Sequence, residues 1–98
     1  QTPGDLHIVI GMVGDKDVRK VISMLPKRAK YYFTQASVAR AMPVGDFAEI
    51  AREFGLEGKS YDNVMQAYNE ASSDATPEDT IFIGGSTFVV ADLLANLL

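Results

Sequence analysis

The sequence predicts an α/β fold, a mainly parallel sheet layered between helices. Three observations carry this reading. Residues 80–91 read as a buried strand (Ile81, Phe82, Ile83), a two-glycine turn (Gly84, Gly85) and a helix capped by Ser86 or Thr87. Residues 7–12 form a continuous apolar run, as expected of a strand covered on both faces. Residues 31–34, Tyr-Tyr-Phe-Thr, form a second β-prone run. With the helical patterns between them, the tally is βαβααβα, without internal repeats or linkers. Such alternation implies parallel strands joined by right-handed crossovers.

The remaining elements follow in order. After the first strand, Gly11 and Gly14 break the run and Asp15 is placed to cap a helix. Val18, Val21, Ile22 and Leu25 then fall at the spacing of a helical apolar stripe, which Pro26 ends. Residues 35–45 form a long connection carrying Arg40. Asp46 is expected to cap a short helix that turns Phe47, Ile50, Ala51 and Phe54 inward, closed by Gly55 and Gly58. Ser60 or Asp62 is expected to start a third helix, with Tyr61, Val64, Met65, Tyr68 and Ala71 on one face. A final helix would bury Phe88, Val89, Leu93, Leu94 and Leu97. Three strands make a thin sheet, so a neighbouring strand is expected outside this sequence.

Composition narrows the function classes. At 98 residues, with 47% hydrophobic and 22% charged content, the chain is one globular domain, residues 1–98. No apolar run approaches the ~20 residues of a membrane span, and the amino terminus is not a signal peptide. There is no cysteine and one histidine, which excludes thiolate and histidine-rich metal sites. A net charge of −4 argues against nucleic acid as the main partner. A cytoplasmic setting fits these features, and the missing initiator Met points to a piece of a longer polypeptide. The basic residues crowd one segment, Lys16, Arg19, Lys20, Lys27, Arg28 and Lys30. That segment either attracts an anion or an acidic neighbouring domain, or is a solvated helix face.

Two glycine turns are candidate sites. Gly11, Met12, Val13, Gly14, Asp15, Lys16 and Asp17 follow a strand and open a helix, but match neither nucleotide-binding fingerprint. Lys16 there either meets an anion or flanks an ordinary capped helix. Gly84, Gly85, Ser86 and Thr87 allow close backbone approach, with a hydroxyl and helix N–H groups to meet an anion. The bland alternative is a tight turn with a normal cap. Arg40, among Ala39, Ala41 and Met42, either forks onto an anion or ties its loop to Asp46 or Glu49. His7 reads as a sheet-edge residue, and Asp5 and Asp79 as turn residues. No nucleophile–base pair is evident, so no catalytic residue and no metal ligand is assigned.

The order of these motifs resembles one family. Residues 7–17 resemble the strand and Asp-Lys-Asp loop of bacterial bifunctional dihydrofolate synthase/folylpolyglutamate synthases. Tyr32, Phe33 and Thr34, then Ala39, Arg40 and Ala41, are similar to that family's strand and Pro-Arg-Ala loop, with Ala39 in place of Pro. Residues 60–68 look like its helix, and residues 78–86 its Gly-Ser ending.

The resemblance implies a three-layer Rossmann-like domain of the Mur ligase C-terminal type, lacking its first strand and helix. It implies a parent enzyme in which ATP and Mg²⁺ activate a carboxylate of dihydropteroate or folate for attack by the amine of L-glutamate. By the same resemblance, Ser86, Gly85, Thr87 and Arg40 would contact substrate, while Asp15, Lys16 and Asp17 would form an interdomain loop. The partner would be an amino-terminal P-loop ATPase domain of the same polypeptide, holding the main ATP and Mg²⁺ ligands. The fragment alone would be inactive, bind no cofactor, and could self-associate through an exposed sheet edge. Two other readings stand beside this one: a stand-alone α/β module for a small anion, and the matching domain of a peptidoglycan Mur ligase.

Overall fold

The computed structural model describes residues 4–12, 18–37 and 41–84. Its elements are β1 (Leu6–Ile10), α1 (Val18–Ser23), β2 (Lys30–Phe33), α2 (Val44–Glu53), β3 (Gly58–Ser60), α3 (Val64–Asp74) and β4 (Thr80–Gly84). The strands form one sheet in the order β3-β2-β1-β4, and every pairing is parallel. The expected final helix over Phe88, Val89, Leu93, Leu94 and Leu97 lies outside the described residues.

The handedness of parallel crossovers explains the layers. The chain steps from β1 to β2 to β3 through α1 and α2, then returns past β1 to β4 through α3. Reversing direction with the same hand moves the connecting helix to the other face. Accordingly Ile8, Ile10, Tyr31 and Phe33 pack with Val18 and Ile22 of α1 and with Phe47, Ala48 and Ala51 of α2. Val9 and Tyr32, pointing the other way, pack with Ala67 and Ala71 of α3. Phe33 meets Phe47 edge-on, with ring centroids 5.4 Å apart at 81°, a favoured aromatic geometry.

The sequence reading missed β3. Gly58 was expected to close a helix and Ser60 to open the next, because Gly-Lys-Ser has neither apolar alternation nor strand propensity. Its extended form is imposed by β2: Tyr31 N donates to Glu57 O and Tyr61 N donates to Phe33 O. A Cβ on Gly58 would sit 2.2 Å from the Tyr31 carbonyl oxygen, so the close strand approach demands glycine there. Gly55, at φ 83, supplies the left-handed residue after α2.

Two helix starts also differ from expectation. Helix α2 begins at Val44 after Pro43, with Asp46 inside its first turn rather than at the cap. Its first N–H is satisfied from a distance, Val44 N donating to Gln35 Oε1 at 2.8 Å. Helix α3 is capped by Asn63, whose side chain accepts from Gln66 N at 2.9 Å, rather than by Ser60 or Asp62. The stripe of α1 holds, with Val18 and Ile22 buried. Among the described residues no helix is long and apolar enough to cross a membrane.

Candidate functional site

The point where the strand order reverses lies between β1 and β4, and open parallel sheets bind ligands outside the carboxyl ends at such a point. Register places Ile10 of β1 opposite Gly84 of β4. Just beyond, Gly11 N donates to Gly84 O at 3.5 Å. Thr34 N donates to Ile10 O at 2.9 Å, bringing the exit of β2 to the same rim. Met42 N donates to Met12 O at 2.8 Å, so the returning end of the β2–α2 loop joins them.

The residues singled out from sequence, Asp15, Lys16, Asp17, Arg40, Gly85, Ser86 and Thr87, all lie outside the described residues. What the fold fixes is the chain on either side of them. Residues 13–17 leave from Met12, residues 38–40 return at Ala41 beside Met42, and residue 85 follows Gly84. These departure points are the hydrogen-bonded neighbours just described. Three segments remote in sequence therefore start from one rim.

The rim also holds a polar group that sequence reasoning passed over. Thr34 is fully buried and its hydroxyl has no hydrogen-bond partner among the described residues. A buried hydroxyl left unpaired is costly. Only its position, one residue past an aromatic strand, was visible beforehand.

The opposite end of the sheet carries a second polar cluster. His7, expected at a sheet edge, sits on the inner strand β1 and is fully buried. The edge reading fails because β4 covers its other side, a pairing set by the α3 crossover. His7 Nδ1 lies 2.8 Å from Tyr32 Oη, and Nε2 lies 2.7 Å from Asp79 Oδ2. Tyr32 Oη donates to Asp74 Oδ2 at 2.9 Å. Asp79 also accepts from Asp5 N at 2.8 Å, and from Thr76 N and Thr76 Oγ1, both at 3.0 Å. The hydrogen bond from His7, then that from the Thr76 amide, hold the Asp79 carboxyl well below the usual carboxylate range. Burial, reinforced by Asp74, pushes the Tyr32 phenol far above its ordinary value.

Asp5, His7 and Asp79 bring ligand-type atoms within 4.8 Å of one another. Both His7 nitrogens already have protein partners, so the group is a closed hydrogen-bond network rather than an open metal cage.

Beside this end, a shallow hollow of about 330 Å³ is lined by Lys30, Glu57, Lys59, Tyr61 and Asp74, away from the switch point. Of the basic segment, Arg19 pairs with Glu53 at 2.7 Å and Lys30 with Asp5 at 3.3 Å, all four side chains being exposed. Those two cations behave as a solvated surface.

Comparison with known proteins places this geometry. Residues 1–87 match the family described as Mur ligase, glutamate ligase domain. The dihydrofolate synthase/folylpolyglutamate synthase of Escherichia coli is 34% identical over 91 residues, 93% of this chain and 21% of that protein. The solved structure of E. coli FolC in complex with DHPP and ADP superposes with a TM-score of 0.86 at 30% identity, over 99% of this chain and 23% of the other. A bifunctional folylpolyglutamate synthase/dihydrofolate synthase with Mn, AMPPNP and L-glutamate bound gives 0.84 at 27% identity, over 96% of this chain and 22% of that one. The chain thus spans about a fifth of the E. coli protein's length. A four-stranded parallel sheet flanked by helices, matched along nearly its whole length, makes the chain a member of the Mur ligase, glutamate ligase domain family.

Proposed function

We propose that the chain is the glutamate-handling, C-terminal domain of an ATP-dependent ligase that adds L-glutamate to dihydropteroate or folate. The observation that supports this most is the convergence of three loop departures at the β1–β4 rim, in a chain 34% identical to a folate ligase. Ser86, Gly85, Thr87 and Arg40 are assigned to substrate contact. Asp15, Lys16 and Asp17 are assigned to an interdomain loop.

The described residues do not fit a metal or nucleotide site of their own, since the Asp5–His7–Asp79 group is internally satisfied and the sequence carries no P-loop. ATP and Mg²⁺ are therefore assigned to an amino-terminal P-loop domain of the same cytoplasmic polypeptide. The reaction belongs to one-carbon metabolism. This chain's part is to offer helix-terminal N–H groups and a cation to the carboxylates of the amino acid.

Residues 1–98 then act as one domain of that longer enzyme and are inactive alone. In isolation it pairs with a second copy through β4, an outer strand among the described residues whose Thr-Ile-Phe-Ile-Gly sequence is uncharged and whose Phe82 is 56% exposed. A clean monomer in light scattering at high concentration overturns the pairing.

The function is tested in the full-length protein with ATP, glutamate and either dihydropteroate or tetrahydrofolate, beside Ser86→Ala and Arg40→Ala. The expected result is ligation, with a raised glutamate KM in both variants. Absence of ligation overturns the activity. Wild-type KM and kcat in both variants overturn the site.

A further inference from the structure

The cluster at the amino end of the sheet is overdetermined in its protons. The Asp79 carboxylate is acceptor-only and takes four donors, Asp5 N, Thr76 N, Thr76 Oγ1 and His7 Nε2. At 2.7 Å from that oxygen, Nε2 must carry a proton. On the other side of the ring, the phenol of Tyr32 has a single proton and gives it to Asp74 Oδ2 at 2.9 Å. Its oxygen is then free only to accept, so His7 Nδ1, 2.8 Å away, must be a donor as well. An imidazole with both nitrogens protonated carries a positive charge.

We infer that His7 is held as a buried imidazolium, a positively charged peg that joins β1 to β2 and α3 through Tyr32 and Asp74, and to the α3–β4 turn through Asp79. The residue is fully buried, and a buried charge persists only when paired and fully hydrogen-bonded. The surrounding groups supply that pairing. Asp79 faces the ring from the turn before β4, and Asp74 faces it from α3 through Tyr32. Glu70 of α3 and Tyr61 act on the same phenol. Asp5, just before β1, gives its amide to Asp79, and its carboxylate pairs with Lys30 of β2.

Loss of the Nε2 proton sets that nitrogen against the Asp79 carboxylate as two facing acceptors, whereas loss of the Nδ1 proton draws the phenol proton to the ring and leaves Tyr32 Oη and Asp74 Oδ2 as the two facing acceptors. The peg then releases either the α3–β4 turn or the Tyr32–Asp74 arm. Because Asp79 immediately precedes β4, the protonation state of His7 bears on how firmly β4 is seated beside β1.

His7 is the single histidine of the 98 residues, so its side-chain nitrogens are read without ambiguity by ¹⁵N NMR on the uniformly labelled chain. At pH 7 both nitrogens should show protonated shifts and directly bonded hydrogens. One unprotonated nitrogen in the folded chain overturns the inference. Asp74→Ala changes an exposed position and frees the phenol proton to turn toward Nδ1. The doubly protonated fraction at pH 7 should then fall several-fold, toward the neutral ring with hydrogen on Nε2. An unchanged ring in that variant overturns the arm through Tyr32.

Discussion

Ile10 and Gly84 stand opposite each other on adjacent parallel strands, and the amide of Gly11 reaches back to the carbonyl of Gly84. The two strand tips therefore end level. That alignment is a consequence of register, so substitutions that disturb the strand pairing should show first as a loss of stability.

Gly58→Ala tests the missed strand. Its new methyl would meet the Tyr31 carbonyl at 2.2 Å, so β3 must part from β2 locally. A loss of about 1–3 kcal/mol is expected by chemical denaturation. Gly45→Ala is the control, since nothing lies within 4 Å of its added Cβ. Within helix α2 it should stabilise by roughly 0.5–1 kcal/mol through helix propensity.

Phe47→Ala should be among the costliest single changes. The ring is fully buried and stands edge-on to Phe33. Truncation leaves a cavity between α2 and the sheet, with an expected loss of about 3–5 kcal/mol in the denaturation midpoint analysis.

Thr34→Val should behave the other way. The hydroxyl is buried and unpartnered among the described residues, and valine keeps the shape without the polar atom. Stability unchanged or raised by about 1 kcal/mol is expected from thermal unfolding. A loss of more than 1 kcal/mol would show that the hydroxyl has a partner in solution.

Asp79→Asn should flatten the acid limb of the stability curve. The folded-state pKa of Asp79 is depressed, chiefly by His7. Its contribution is therefore present above the ordinary carboxylate value of ~3.9 and is lost as pH falls below it. Urea midpoints measured from pH 6 to pH 3 should drop more steeply for the wild-type chain than for the variant.

Strands β1, β2 and β4 were legible because each carries an apolar or aromatic run, which needs no knowledge of its neighbours. Strand β3 was not, because Gly58, Lys59 and Ser60 are extended only through hydrogen bonds supplied by β2. The start of α3 sits in Ser60-Tyr-Asp-Asn63, where three residues are competent caps, and local chemistry does not choose among them. The start of α2 was hidden for another reason, since Gln35 satisfies Val44 across the intervening loop. His7 was misjudged because the cover on its second side comes from β4, more than 70 residues away in sequence. The rim itself was readable from strand–glycine–helix punctuation at Gly11 and Gly84.

The Gln35–Val44 hydrogen bond has an evolutionary corollary. It ties together the two ends of the connection between β2 and α2, while Met42 is moored to Met12. With its base clamped, the span between can lengthen, shorten or change composition at little conformational expense. Sequence can then diversify in that connection while the scaffold beneath it stays undisturbed.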